Sequence, residues 1–295
     1  MNFAGSYVAL VTPWNKDLSN VDFGAFKELV EWHVAAGTDG LVPAGTTGES
    51  ATLSHKEHEE LITRTVEAAA GRVKVVAGAG SNRTDEAISL ARHAKAAGAD
   101  GILVITPYYN RPTPEGLYQH FGAIADVCDL PMVMYNVPSR TGTNLLPATV
   151  ARIARAHPTI KAIKEASGVL DQSSQIIETL GDAFDVISGD DSLTLPMMAL
   201  GGKGVISVVA NIAPAEVKAM TAAALAGDFA MAREWHYKLM PLVKACFVET
   251  NPAPVKMALS MLGKINARLR LPLVEPQPES RQAISDAMRK AGIAK

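Results

Sequence analysis

Lys164 stands in the segment IKAIKEAS, whose β-branched and apolar character reads as a strand. Period-two alternation puts Ile160, Ala162 and Lys164 on one face, with Lys161 and Glu165 on the other. An amine on the inward face of a buried strand must be paired, or its ammonium form must be suppressed by desolvation. A neutral amine so placed attacks a ketone and gives an iminium that serves as an electron sink. The same position also suits a lysine that snorkels from a strand end or one that binds a phosphate or carboxylate.

Other reactive side chains stand near the ends of apolar runs. Thr46 and Thr47, in AGTTGES, occupy a glycine-flanked turn and can offer hydroxyls and backbone N–H groups to a carboxylate, or simply form the turn. Tyr135, in YNVPSRTG, suits a proton donor or acceptor, or a packed phenol whose hydroxyl is satisfied. Arg140, just past Pro138, suits bidentate binding of a carboxylate, or solvation on a loop. Tyr108 and Tyr109 precede Asn110–Arg111–Pro112, so the pair sits on a turn at a rim, a surface or an interface. His55 and His58 are three residues apart without a third ligand, a poor metal motif, and Cys128 and Cys246 lack ligand spacing; no metal site is expected.

The elements that must position these groups follow from a repeating rhythm. Strands are expected at SYVALVTP, GLVPAG, VKVVAGAG, GILVITP, PMVMYNVP, IKAIKEAS, FDVISGDD and GVISVVAN. Each is followed by a helix, as in His55–Ala70, where His58, Leu61, Ile62, Thr65 and Val66 fall at helical spacing. Ser54 reads as the N-cap of that helix, with Glu57 completing a capping box. Runs that are apolar on both faces and separated by helices indicate buried parallel strands. The fold class is therefore α/β, a (β/α)₈ TIM barrel, in which the active site forms at the C-terminal ends of the strands. A dinucleotide-binding sheet fits less well, because Arg83 stands where the third glycine after Gly78 and Gly80 would fall. Strand signals stop near Ala213, which divides the chain into a barrel over residues 1–224 and a C-terminal helical extension over 225–295.

Composition narrows the partners. A net charge of −2 gives no electrostatic reason for nucleic acid or an anionic membrane as partner. No apolar run approaches the roughly 20 residues of a membrane helix. MNFAGSYVALVTPW lacks a basic segment and reaches Pro13 too early for a secretory signal, and two unrelated cysteines suit a reducing compartment; a cytoplasmic location is expected.

Two stretches, GLVPAGTTGES over residues 40–50 and the run from Tyr135 through YNVPSRTG to Lys164, together resemble the signature of the dihydrodipicolinate synthase/N-acetylneuraminate lyase family of class I aldolases. The resemblance covers essentially the whole chain. It implies that pyruvate condenses with Lys164 and that Thr46 and Tyr135 relay protons, the relay being completed in synthases by a tyrosine donated across a dimer interface, here Tyr109. Thr47 and the backbone around Gly189 and Ile206 match positions that hold the pyruvate carboxylate and line the pocket. Arg140 and TPYYNRPTPEGLYQHF are similar to the synthase branch, which implies aspartate semialdehyde as second substrate and a place in the lysine branch of diaminopimelate biosynthesis. A pyruvate-dependent aldolase acting on a sugar acid and a non-catalytic carboxylate-binding barrel are the alternatives.

Ser50, Ala51, His55, His58, Asn82, Glu86 and Tyr108 match the feedback site of lysine-sensitive synthases, with Arg83 the neighbouring position at which such a site would be altered. Glu86 suits an ammonium group, and Asn82 and Tyr108 suit a carboxylate; the competing reading of His55 and His58 is a plain helix start. The resemblance further implies at least a dimer, and a homotetramer built from two dimers. No metal or organic cofactor is required, because the iminium is itself the electron sink.

Overall fold

The computed structural model describes residues 2–294. Eight parallel strands close into a barrel in sequence order, with the last strand pairing the first. Strands and helices alternate as β1 (Gly5–Ala9), α1 (Phe23–Ala35), β2 (Gly40–Val42), α2 (His55–Ala69), β3 (Lys74–Gly78), α3 (Thr84–Ala97), β4 (Gly101–Ile105) and α4 (Pro114–Ala125). The second half runs β5 (Met132–Asn136), α5 (Pro138–Thr141), α6 (Pro147–Ala156), β6 (Ile160–Glu165), α7 (Leu170–Leu180), β7 (Asp185–Ser188), α8 (Thr194–Ala199), β8 (Gly204–Ser207) and α9 (Pro214–Leu225). Helices α10 (Phe229–Cys246), α11 (Ala253–Met261) and α12 (Pro278–Ala291) complete the chain. All eight expected strands form. Among the described residues, no helix is long and apolar enough to cross a membrane.

Alternation along each strand builds two cores. Tyr7, Val42, Val76, Leu103, Val133, Ala162, Ile187 and Ile206 fill the barrel interior. Val8, Leu41, Val75, Ile102, Met134, Ile163, Val186 and Val205 pack outward against the helices. The interior closes tightly: a Cβ on Gly40 would lie 2.1 Å from the Tyr7 ring, so only glycine lets that ring lie across β2.

One expected phase is corrected. Ile160 belongs to the outer core, not to the face of Ala162 and Lys164. The register explains it: Met132 pairs with Ile160 but Val133 pairs with Ala162, so Lys161 is an extra residue that resets the alternation. Lys164 stays on the inner side because it lies beyond the irregularity. The α2 start forms as expected, with the Ser54 and Glu57 capping box complete.

Candidate active site

Tyr135 and Lys164 are register partners near the C-terminal ends of β5 and β6. Both are buried, and Lys164 Nζ lies 4.2 Å from the centroid of the Tyr135 ring. The next pair up the strands, Asn136 and Glu165, points to the other side and is also buried. There Glu165 accepts from Asn136 Nδ2 at 3.1 Å, Gln172 Nε2 at 3.0 Å and the Ser167 backbone N–H at 2.7 Å. Asn136 Oδ1 accepts from the Leu145 N–H at 2.9 Å, and its amide donates to Asn144 Oδ1, also at 2.9 Å. This network fixes the strand ends that carry the amine and the phenol. Sequence reading placed Glu165 on the outer face but gave no sign that it would be sealed there among donors from β5, the β6–α7 turn and α7.

Lys164 and Tyr135 line a cavity of about 220 Å³ together with Thr46, Thr47, Arg140, Gly189, Asp190 and Asn251. Thr46 and Thr47 reach it on the turn after β2. Arg140 comes from the short helix α5, where its Nη2 donates to the Asn251 carbonyl at 3.3 Å. Gly189 lies against the amine: a Cβ there would sit 3.1 Å from Lys164 Cε and 2.6 Å from Ala166 Cβ. Ile206 packs deeper inside the barrel and is not in the wall, where Val208 stands instead. Tyr109 is 91% exposed, with φ of 72°, and lines neither this cavity nor the larger one beside it.

Two carboxyl groups after β7 answer to this amine. Burial pushes the Asp190 carboxyl up, opposed by the Lys164 charge. Burial also pushes Asp191 up, but its partners are structural: the Ser207 hydroxyl and the backbone N–H groups of Val208 at 2.9 Å and Val209 at 3.2 Å. Asp190 and Asn251 were not singled out from the sequence. SGDD was visible as a polar strand end, whereas Asn251 is far away in the chain and carries no local signal. Its Nδ2 donates to Thr47 Oγ1 at 2.9 Å.

A second cavity of about 380 Å³ adjoins the first and shares Thr46, Arg140 and Asn251 with it. Six residues of the second sequence constellation line it: Ser50, Ala51, His55, His58, Glu86 and Tyr108. Asn82 is outside the wall and donates to the Tyr108 carbonyl at 3.1 Å. Glu86 lies 2.9 Å from His55 Nε2 and accepts from the Ser81 hydroxyl. Burial pulls His58 down to about 4, so its imidazole is neutral near pH 7, and Nδ1 is buried without a partner. Arg83 is turned away, paired with Asp85. Among the described residues, no group of three or more His, Cys, Asp or Glu side chains is arranged to hold a metal ion.

Fold and site together define a (β/α)₈ barrel with a lysine and a tyrosine side by side at the C-terminal rim. Residues 2–291 match the Dihydrodipicolinate synthetase family. A 4-hydroxy-tetrahydrodipicolinate synthase of Nitratidesulfovibrio vulgaris (Miyazaki F) is 54% identical over 293 residues, 99% of this chain and all of that one. The structure of a chloride-inhibited dihydrodipicolinate synthase from Acinetobacter baumannii complexed with pyruvate superposes with a TM-score of 0.97 at 44% identity, covering 99% of this chain and 100% of that one. A dihydrodipicolinate synthase from Cyanidioschyzon merolae with lysine bound gives 0.96 at 41% identity, with coverage of 99% and 100%. The chain belongs to the dihydrodipicolinate synthetase family.

Proposed function

We propose that this chain is a 4-hydroxy-tetrahydrodipicolinate synthase that joins pyruvate to L-aspartate 4-semialdehyde through a Schiff base on Lys164. The observation that carries the reading is the register-paired Tyr135 and Lys164 in one small polar cavity. Its volume of about 220 Å³ suits two small acids rather than a drug-sized ligand. The matching relatives carry the name of this activity.

The Lys164 amine attacks the pyruvate ketone, and loss of water gives the iminium. Removal of a methyl proton then yields an enamine, which attacks the aldehyde carbon of the semialdehyde to form the new C–C bond. The alkoxide takes a proton. The amino group of the semialdehyde attacks the iminium carbon and displaces Lys164, closing the ring. Tyr135 and Thr46 move the protons, with Tyr109 contributed by a partner subunit, which accords with its exposure in a single protomer. Thr47 and the backbone at Gly189 hold the pyruvate carboxylate, Ile206 supports that pocket from below, and Arg140 receives the carboxylate of the semialdehyde. Neither a metal nor an organic cofactor enters these steps.

The larger cavity is read as an L-lysine feedback site, with Glu86 for an ammonium group and Tyr108 and Asn82 for the carboxylate. The assembly is read as a homotetramer of two dimers, and the location as cytoplasmic, in keeping with the free thiols of Cys128 and Cys246. Borohydride reduction in the presence of pyruvate tests the chemistry: a mass adduct on Lys164 is expected, and its absence overturns the mechanism. A coupled assay with aspartate semialdehyde tests the substrate; turnover of N-acetylneuraminate in its place would transfer the chain to the sugar-acid branch.

A further inference from the structure

Behind the turn that carries Thr46 and Thr47 lies a set of charges that the reaction above does not use. The side chains of Glu49 and Lys256 are fully buried, with Nζ 2.5 Å from Oε1. The same Glu49 oxygen accepts from Trp14 Nε1 at 3.1 Å, and its other oxygen accepts from the Arg270 backbone N–H at 3.3 Å. Lys256 also donates to the Thr12 carbonyl at 2.8 Å, while the Thr12 hydroxyl donates to the Gly48 carbonyl at 2.7 Å. The ion pair and its partners thus converge on one turn.

A buried ion pair is a weak source of stability, because desolvation offsets most of the attraction. What this one accomplishes is better read from the backbone it grips. Two non-glycine residues in the left-handed region, Ala44 with φ of 53° and Glu49 with φ of 55°, bracket the turn. Such a conformation is disfavoured for a residue with a Cβ and persists only where its surroundings over-determine it. Between them, Gly48 packs so closely that a Cβ would meet the Leu10 carbonyl and the Ala44 nitrogen at 3.0 Å. The C-terminal extension reaches this turn three times, through Asn251 on Thr47 and through Lys256 of α11 and the Arg270 backbone N–H on Glu49. Neither Glu49 nor Lys256 lines the cavity that holds Lys164.

We infer that Glu49 and Lys256 form a positioning pair, which holds the strained turn so that Thr46 stands where it can pass protons to and from the Schiff base. The inference rests on the proposed chemistry of Lys164. It gives the C-terminal extension a task in the reaction, although among the described residues the extension places only Phe247 and Asn251 in the wall of that cavity.

The test uses the full chain in its native assembly and two variants. Glu49→Asp keeps the charge but withdraws the carboxylate by one methylene; Glu49→Gln combined with Lys256→Met removes both charges together. Each is scored by borohydride trapping of pyruvate on Lys164 and by exchange of pyruvate methyl protons for deuterium, which needs proton transfer but no second substrate. Both variants are expected to trap pyruvate, with KM for pyruvate changed less than about 3-fold, while deuterium exchange and kcat fall at least about 10-fold. Parental exchange rates per folded molecule in either variant would overturn the positioning role, whatever happens to Tm. If Glu49→Asp fails to fold, the double variant decides; failure of both would make the pair structural and also overturn the inference. A parent that does not trap pyruvate would instead overturn the reading of Lys164.

Discussion

Lys164 Nζ sits 4.2 Å from the centroid of the Tyr135 ring, the side chain of its own register partner across β5 and β6. A ring face at this range favours a cation, and both the ammonium form and the iminium of the proposed mechanism are cations. The phenol therefore has two separable contributions, its face and its hydroxyl. Tyr135→Phe keeps the first and deletes the second. Pyruvate should still be trapped on Lys164, while kcat should fall about 10²- to 10⁴-fold, the usual share of a general acid–base group. An unchanged kcat in stopped assays would remove Tyr135 from the relay.

Arg140 is held at the junction of the two cavities by its bond to the Asn251 carbonyl. A charge-assisted contact to one substrate carboxylate contributes roughly 1.5–3 kcal/mol. Arg140→Ala should therefore raise KM for aspartate semialdehyde by about 10- to 100-fold, with a smaller effect on KM for pyruvate. Equal changes for both substrates, in a two-substrate kinetic matrix, would argue against this assignment.

Glu165 satisfies donors that have no water to turn to. Glu165→Ala strands Asn136 and Gln172 in a buried site and should cost about 2–4 kcal/mol of stability, read from urea unfolding. Glu165→Gln retains an acceptor and should cost less. A loss below about 0.5 kcal/mol for the alanine variant would show that the network relaxes around the gap.

Acid should destabilise the fold through its buried histidines. Burial pulls His33 down to about 3, and His58 and His120 down to about 4. Unfolded, each binds its proton near pH ~6.5. The stabilising contribution is thus complete above that value and is lost as pH falls toward the folded values, because unfolding then takes up protons. Three such groups give a slope of up to about 4 kcal/mol per pH unit. Glu57, held down to about 2 chiefly by Arg270, adds a further loss only at pH below its ordinary carboxylate range. Urea midpoints that stay level between pH 7.5 and 4.5 would contradict this account.

For regulation, activity should fall as L-lysine is added, and Glu86→Ala should move the half-inhibiting concentration up by at least about 10-fold, as expected for loss of a charge-assisted contact. A parent indifferent to lysine would sink the feedback proposal outright.

The strand and helix rhythm was legible because it is written locally. β-branched runs, Ser54 with Glu57, and polar residues at strand ends are patterns within a few positions, and all eight strands and the capping box form from them. Lys164 was legible for the same reason, as a cation on an otherwise apolar inner face. Even local alternation had a limit at Ile160, where an irregular register reversed the expected side.

By itself, then, the sequence determined the barrel and the residue types brought to its C-terminal rim, since backbone periodicity and burial depend on near neighbours. Only the tertiary structure decided which distant partners complete that rim. Lys256 meets Glu49 across 207 positions and Asn251 meets Thr47 across 204, and nothing in either segment announces the other. The physical reason is closure: the barrel and its C-terminal helices must pack before these groups lose water, and only then must each buried charge or hydroxyl find the partner that geometry provides. The lysine that drew attention in the sequence lies in the cavity wall, while the lysine that went unnoticed is buried behind the turn beside it.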